Sequence, residues 1–283
     1  ISGHLLGGVL TSVLLGPWAG AGVIGAVLIV QCLLFGDGGL LALGANFVNM
    51  GLIGALGGYA IYAPIRRAIG GTTGVLIGAM AAAWFSVLLS AGAFSLEMTA
   101  SGRGIPFLQV LGWMGLVHAA IGVGEAIITG LVLRFLLLTR PDLIMTADLS
   151  AQAKGDAPPT LEEEWPTSPA KPRPARANWG LPLAGLGIAL AIAVFCAPFA
   201  SQYGDGLEYV LGRLGVEAGG EAAVISSPLP DYAFPGMRHV GLATALAGSI
   251  GTVVVFVFGL ALARSLTRRL DQFESRGPKL DAN

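Results

Sequence analysis

Charge is what this sequence has least of. Only 12% of its 283 residues are Asp, Glu, Lys or Arg, whereas a soluble domain carries about 25%. Lysine occurs only at Lys154, Lys171 and Lys279, never in a glycine-rich loop. That excludes a G-x-x-x-x-G-K-[ST] phosphate cradle, so any ATP-driven work belongs to a partner. Cysteine occurs only at Cys32 and Cys196, each inside an apolar run. Two small buried hydrophobes account for them better than a disulfide or a zinc cluster. The histidines, His4, His118 and His239, lie far apart, and neither H-E-x-x-H nor G-x-S-x-G occurs. No catalytic constellation is present, which speaks against an enzyme. A net charge of −1 without a basic patch leaves no footprint for nucleic acid.

What is abundant is apolar. Hydrophobic residues make up 54% of the chain, glycines number 43, and the mean hydropathy is +0.74. Such an excess does not fit inside one soluble core, and several runs approach the ~20 residues that cross a bilayer. The fold class expected is therefore all-α, a polytopic helical membrane protein surrounded by lipid. The runs delimit one partial and about six full spans at 4–15, 17–36, 40–63, 72–96, 107–137, 179–200 and 240–263. Gly16-Pro17, Asp37-Gly38-Gly39 and Ala63-Pro64-Ile65-Arg66-Arg67 read as tight turns at a membrane face.

Four regions follow. Residues 1–144 form a membrane core, 145–178 a Pro/Ala/charge-rich cytoplasmic linker, 179–265 a two-span module, and 266–283 a cytoplasmic tail. Placing Arg66 and Arg67 in the cytoplasm and alternating sides leaves only Arg103, Arg213 and Arg238 of the 16 basic residues outside. That bias puts His4 and the Asp37 turn outside and the C-terminus in the cytoplasm.

Polar groups inside such spans are candidate functional residues, because hydrocarbon penalises them unless paired or wetted. His4 stands in a glycine-rich stretch at the outer end of its helix, open to a ligand role or a structural one. Imidazole suits Ni, Co, Cu and Zn, but one histidine does not make a site. Gln31, Asn46 and Asn49 lie on adjoining helices joined by the Asp37 turn, and Asn46 and Asn49 share a helix face. Interhelical hydrogen bonding and support of a metal site are both open to them. His118 and Glu125, seven apart on one helix, form a possible intramembrane polar contact, as a bundle anchor or a cation path.

The stretch from Ser2 to Met50 carries S-G-H-L-L-G-G, L-G-P-W, V-L-I-V-Q, L-F-G-D-G-G and L-G-A-N-x-x-N-M at Ser2–Gly8, Leu15–Trp18, Val27–Gln31, Leu34–Gly39 and Leu43–Met50. With Ile121–Thr129 and Arg140–Leu143, it resembles the substrate-binding permease subunit of cobalt and nickel energy-coupling-factor transporters, the CbiM/NikM type. Gly204-Asp205-Gly206-Leu207-Glu208 and Ser227–Tyr232, ending in Asp231 and Tyr232, resemble the PDGLE (CbiN/NikN) accessory subunit, with Gly204 where that family has proline.

The resemblance implies an importer subunit that captures Co(II) or Ni(II) at the outer face of a bacterial plasma membrane. No cofactor is expected in this chain; ATP and Mg belong to partners. Those partners would be a transmembrane coupling subunit of the CbiQ/NikQ type and cytoplasmic ATPases of the CbiO/NikO type. His4 matches the histidine that completes a nitrogen site begun by a Met-His N-terminus, with Gln31, Asp37, Asn46 and Asn49 in support. Because this chain begins at Ile1 without Met-His, weak or no binding of either metal by the polypeptide as given is the expectation. Gly51, Gly54, Gly57 and Gly58 are expected on a surface for the coupling subunit. Acids of the accessory loop would attract cations or gate the site. An ATP-independent secondary transporter or channel, and a non-transporting scaffold, are the alternatives.

Overall fold

The computed structural model describes residues 6–102, 104–144, 179–199, 205–216 and 226–276. His4, residues 145–178 and Gly204 lie outside the described residues. Among the described residues every regular element is helical, and six helices are long and apolar enough to cross a membrane: Pro17–Phe35, Gly39–Ile69, Gly71–Ala100, Phe107–Thr139, Pro182–Phe199 and Val240–Ser265. A shorter helix precedes them, so one partial and six full spans are present.

The chain clusters into two compact units, Ile1–Ala177 with Ser201–Ser227, and Asn178–Ala200 with Pro228–Asn283. The first unit begins with α1 (Gly8–Leu15) and α2 (Pro17–Val30). Gly16 turns between them at φ 87°, a value L side chains rarely adopt, and Pro17 opens α2 where its missing N–H costs nothing. A π-helical turn, Gln31–Phe35, extends α2 to the Gly36 cap at φ 74°. The Gln31 carbonyl accepts the N–H of Gly36 and, at 3.3 Å, that of Asp37, which closes the helix end. Next come α3 (Gly39–Asn46), an eleven-residue π-helical stretch Phe47–Gly57, and α4 (Gly58–Ile69).

The turn expected at Ala63-Pro64 is not there. The helix runs on through Pro64 to Ile69 and stops at Gly70, φ 73°. Proline removes one backbone hydrogen bond, but Tyr59, Tyr62, Ala63 and Arg66 are buried, and that packing holds the helix across the gap.

Two long helices complete the membrane part of this unit, α5 (Gly71–Ala100, 30 residues) and α6 (Phe107–Thr139, 33 residues). Their seam uses Gly122 and Gly130, where an added Cβ would stand 2.9 Å from the Trp84 ring and 2.7 Å from Met80 Sδ. Trp84 Nε1 donates to the Ala119 carbonyl at 3.0 Å across it. Small residues let membrane helices touch closely enough for dispersion and such bonds to hold them. After α6, Arg140 grips Asp142 through two hydrogen bonds of 2.9 and 2.8 Å and holds its carboxyl below the usual carboxylate range. Both groups are exposed, so solvent screens the pair.

Gly51, Gly54 and Gly58 are buried within the chain, which corrects the coupling-surface expectation for them. An added Cβ at Gly51 would meet the Phe47 ring at 2.7 Å, and one at Gly58 would meet Val9 and Ser86. Gly57 is half-buried, beside Leu89. The glycines let α1 and α5 approach the π-helical stretch instead.

The second unit pairs α7 (Gly180–Phe195) with α9 (Val240–Arg276) through small residues, Ala193, Ala243, Ala245 and Ala247 being buried. His239 Nδ1 accepts the Leu242 N–H at 3.4 Å at the start of α9, a capping role. The Arg264 guanidinium lies 5.2 Å from the centre of the Trp179 ring. Within this unit, Asp231 and Tyr232 sit in a left-handed turn at φ 53° and 56°. Cys32 is buried in the first unit, Cys196 is exposed in the second, and both are free thiols.

Candidate functional site

The polar groups of the first unit gather where α1 begins. Glu125, 4% exposed in the middle of α6, accepts two backbone hydrogen bonds there: Leu6 N–H to Oε2 at 3.0 Å and Gly7 N–H to Oε1 at 2.7 Å. Both carboxyl oxygens act as acceptors, as an ionised carboxylate does. The first N–H groups of a helix have no partner within it, and its dipole makes that end positive, so the carboxylate meets both needs. Residues 119 apart in sequence are thereby locked together. Leu6 then packs with Ile24, Leu28, Met50 and Val87 in a buried apolar cluster that Ile121 also joins.

The π-helical stretch carries the second set of groups. Asn46 ends α3 and Asn49 lies three residues on, so the pair straddles the change from α to π winding; the two are 2% and 3% exposed. Asn49 is fixed from two directions. Ser90 Oγ donates to its main-chain carbonyl at 2.7 Å, and its Nδ2 donates to Glu97 Oε2 at 3.0 Å. A Cβ built at Gly54 would touch Leu6 Cδ1 at 3.4 Å and the Asn49 carbonyl at 3.5 Å, so this network adjoins the start of α1. Gln31 and Asp37 are half-buried at the π turn and cap of α2.

His118 is 7% exposed, and its Nδ1 bonds to the Met114 carbonyl one turn earlier at 2.9 Å. Its nearest hydrogen bond is thus local, and the Glu125 bonds run to α1 rather than to His118. Among the described residues, no group of three or more His, Cys, Asp or Glu side chains is arranged to hold a metal.

The segment Ser201–Ser227 belongs to this unit and not to the membrane pair on either side of it. Its helix α8 (Gly206–Arg213) begins with an N-cap: Asp205 Oδ1 accepts the Glu208 N–H at 2.8 Å, with Glu208 at the third helical position. The D-x-x-E spacing signals this cap. Leu207 and Val210 are buried with Ala91, Phe94, Val110 and Met114 of α5 and α6. The Arg213 guanidinium lies between aromatic rings, 5.7 Å from the centre of Trp113 and 5.3 Å from that of Tyr209, whose hydroxyl accepts its Nη2–H at 3.0 Å. Ser227 Oγ would stand 3.0 Å from a Cβ at Gly36, so the segment also reaches the L-F-G-D-G-G turn.

The motif residues of the loop thus divide. Asp205, Gly206, Leu207 and Glu208 start the docked helix, whereas Asp231 and Tyr232 form the left-handed turn of the other unit.

Comparison with known proteins places the sequence among transport proteins. Residues 1–143 match the family model described as cobalt uptake substrate-specific transmembrane region, and residues 179–268 match the PDGLE domain. The putative fused nickel transport protein NikMN of Archaeoglobus fulgidus is 33% identical, over 93% of this chain and 78% of its own. The fused nickel transport protein NikMN of Rhodobacter capsulatus is 29% identical, over 94% of this chain and 80% of its own. The cobalt transport protein CbiM of Thermosediminibacter oceani is 30% identical, over 48% of this chain and 57% of its own. No solved structure matches.

Proposed function

The chain belongs to the cobalt uptake substrate-specific transmembrane (CbiM) family, with a PDGLE domain fused behind it, and from that premise we propose that it captures the cation for an ATP-driven cobalt or nickel importer. It is a multi-pass membrane protein and a transport component, not a catalyst. Capture takes place at the outer face of the plasma membrane. A CbiQ/NikQ-type coupling subunit with CbiO/NikO-type ATPases drives release inward, and the C-terminus is cytoplasmic.

His4 supplies an imidazole to the cation, whose other ligands are nitrogens, a set that suits Ni(II) and Co(II) and not Mg(II). The observation that carries this reading is the pair of hydrogen bonds that the Leu6 and Gly7 N–H groups donate to Glu125. Residue 4 is two peptide units from Leu6, so covalent geometry keeps its Cα within about 7 Å of the Leu6 Cα. A fixed start to α1 therefore restricts where the imidazole reaches. Gln31, Asp37, Asn46 and Asn49 support this end of the bundle, and α8 covers α5 and α6 at Phe94, Val110 and Met114.

The test is uptake of radiolabelled cobalt or nickel by cells that make the full-length protein with its coupling and ATPase partners. His4→Ala reduces uptake to background while the protein level is unchanged. Full uptake by that variant would instead favour a scaffold whose polar residues serve helix packing alone.

A further inference from the structure

Two buried asparagine side-chain oxygens remain after the contacts above are assigned. Asn46 Oδ1 and Asn49 Oδ1 have no hydrogen-bond partner among the described residues, although both residues are almost fully buried. A carbonyl oxygen in that condition costs about 1–3 kcal/mol, and most such oxygens in native structures are met by a ligand, water or ion.

The orientation of Asn49 is not arbitrary. Its Nδ2 is held by the Glu97 carboxylate and its main chain by Ser90, so reversing the amide would set oxygen against oxygen. Its Oδ1 is left as an acceptor beside a carboxylate. Two acceptor-only oxygens and one carboxylate select a donor with positive charge. Oxygen donors with one net negative charge bind a hydrated divalent cation, and bind it loosely, because a hard oxygen set holds Ni(II) or Co(II) less firmly than imidazole does.

We propose that Asn46, Asn49 and Glu97 form a second, oxygen-donor site where an incoming divalent cation pauses with part of its water shell before passing to the nitrogen ligands. This deepens the transport reading above and rests on it. The Asn49 carbonyl and Leu6 both meet the space above Gly54, so the site adjoins the anchored start of α1. Handing over a partly dehydrated ion divides the cost of dehydration into two smaller steps.

Mn(II) is the probe, since it favours oxygen and its electron paramagnetic resonance signal broadens when it is bound. The purified full chain in lipid nanodiscs is titrated with Mn(II) alone. Saturable binding is expected with a Kd of about 0.1–1 mM, the range of weak oxygen sites. Asn49→Leu weakens it by about tenfold or more, whereas Asn46→Asp, which keeps the oxygen and adds a charge, tightens it several-fold. Gln109→Ala, at an exposed position of α6, leaves it unchanged. Absence of binding at several times that concentration, indifference to all the Asn substitutions, or equal loss with Gln109→Ala overturns the proposal. The function reading fails separately: if His4→Ala transports normally, that reading falls whatever the Mn(II) titration returns.

Discussion

Glu125→Gln is the perturbation that most sharply separates an anchoring carboxylate from a cation path. The native carboxylate accepts Leu6 N–H at 3.0 Å and Gly7 N–H at 2.7 Å. Glutamine keeps one acceptor oxygen and turns an NH2 toward the other N–H, so one charge-assisted bond is lost and a donor faces a donor. Hydrogen bonds to a charged group contribute about 1.5–3 kcal/mol each, and the helix dipole adds about 0.3–1 kcal/mol that a neutral amide does not recover. The sum is about 2–4 kcal/mol, or a shift of roughly 30- to 1000-fold toward the undocked start of α1. Some of this is buffered, because the docked state must fall well below full occupancy before apparent affinity suffers.

The expected outcome is faster hydrogen exchange at the Leu6 and Gly7 amides, together with a higher half-saturating metal concentration in uptake. Maximal uptake recovers at high metal. Glu125→Asp, with the charge kept but one methylene fewer, falls between. Unchanged exchange at both amides in Glu125→Gln would refute the anchoring argument. Loss of maximal uptake with exchange unchanged would restore the cation-path alternative.

Three further outcomes follow from the packing. Asp205→Asn keeps an N-cap and leaves α8 intact, whereas Asp205→Ala destabilises it by about 1 kcal/mol; equal loss of uptake in both, with α8 still folded by hydrogen exchange, would mean that the charge itself is needed. Leu207→Ala empties a buried position against Phe94 and Met114 at a cost of about 2–5 kcal/mol and exposes Ser201–Ser227 to protease; unaltered cleavage would contradict the docking. Gly20→Ala forces a Cβ to within 2.7 Å of the Ser12 main-chain nitrogen and lowers the thermal midpoint in detergent by the equivalent of about 1–3 kcal/mol, while Gly44→Ala, with open space, does not.

Length and hydropathy made the spans legible, because hydrocarbon thickness dictates helix length and glycines mark the turns. Gly16, Gly36, Gly38 and Gly70 have the positive φ that such turns require. What local pattern did not reveal was the continuation through Pro64, since tertiary packing and not propensity decides whether a helix survives a proline. The π winding from Phe47 to Gly57 also leaves no composition signal.

The polar candidates show the same division. Asn49 and Glu125 stood out because hydrocarbon penalises their side chains, yet their partners, Glu97 and the Leu6 and Gly7 amides, come from elements far away in sequence. The acids of the accessory loop carry a local signal as well. Asp205 and Glu208 have the D-x-x-E spacing of a helix start, and the Glu208 N–H to Asp205 Oδ1 bond follows from it.

Transport energised by partner subunits is the central claim, and reconstitution tests it most directly. Vesicles containing this chain with its coupling and ATPase subunits should accumulate cobalt or nickel only when ATP reaches the ATPases. Accumulation by vesicles that contain this chain alone, without ATP, would contradict the account.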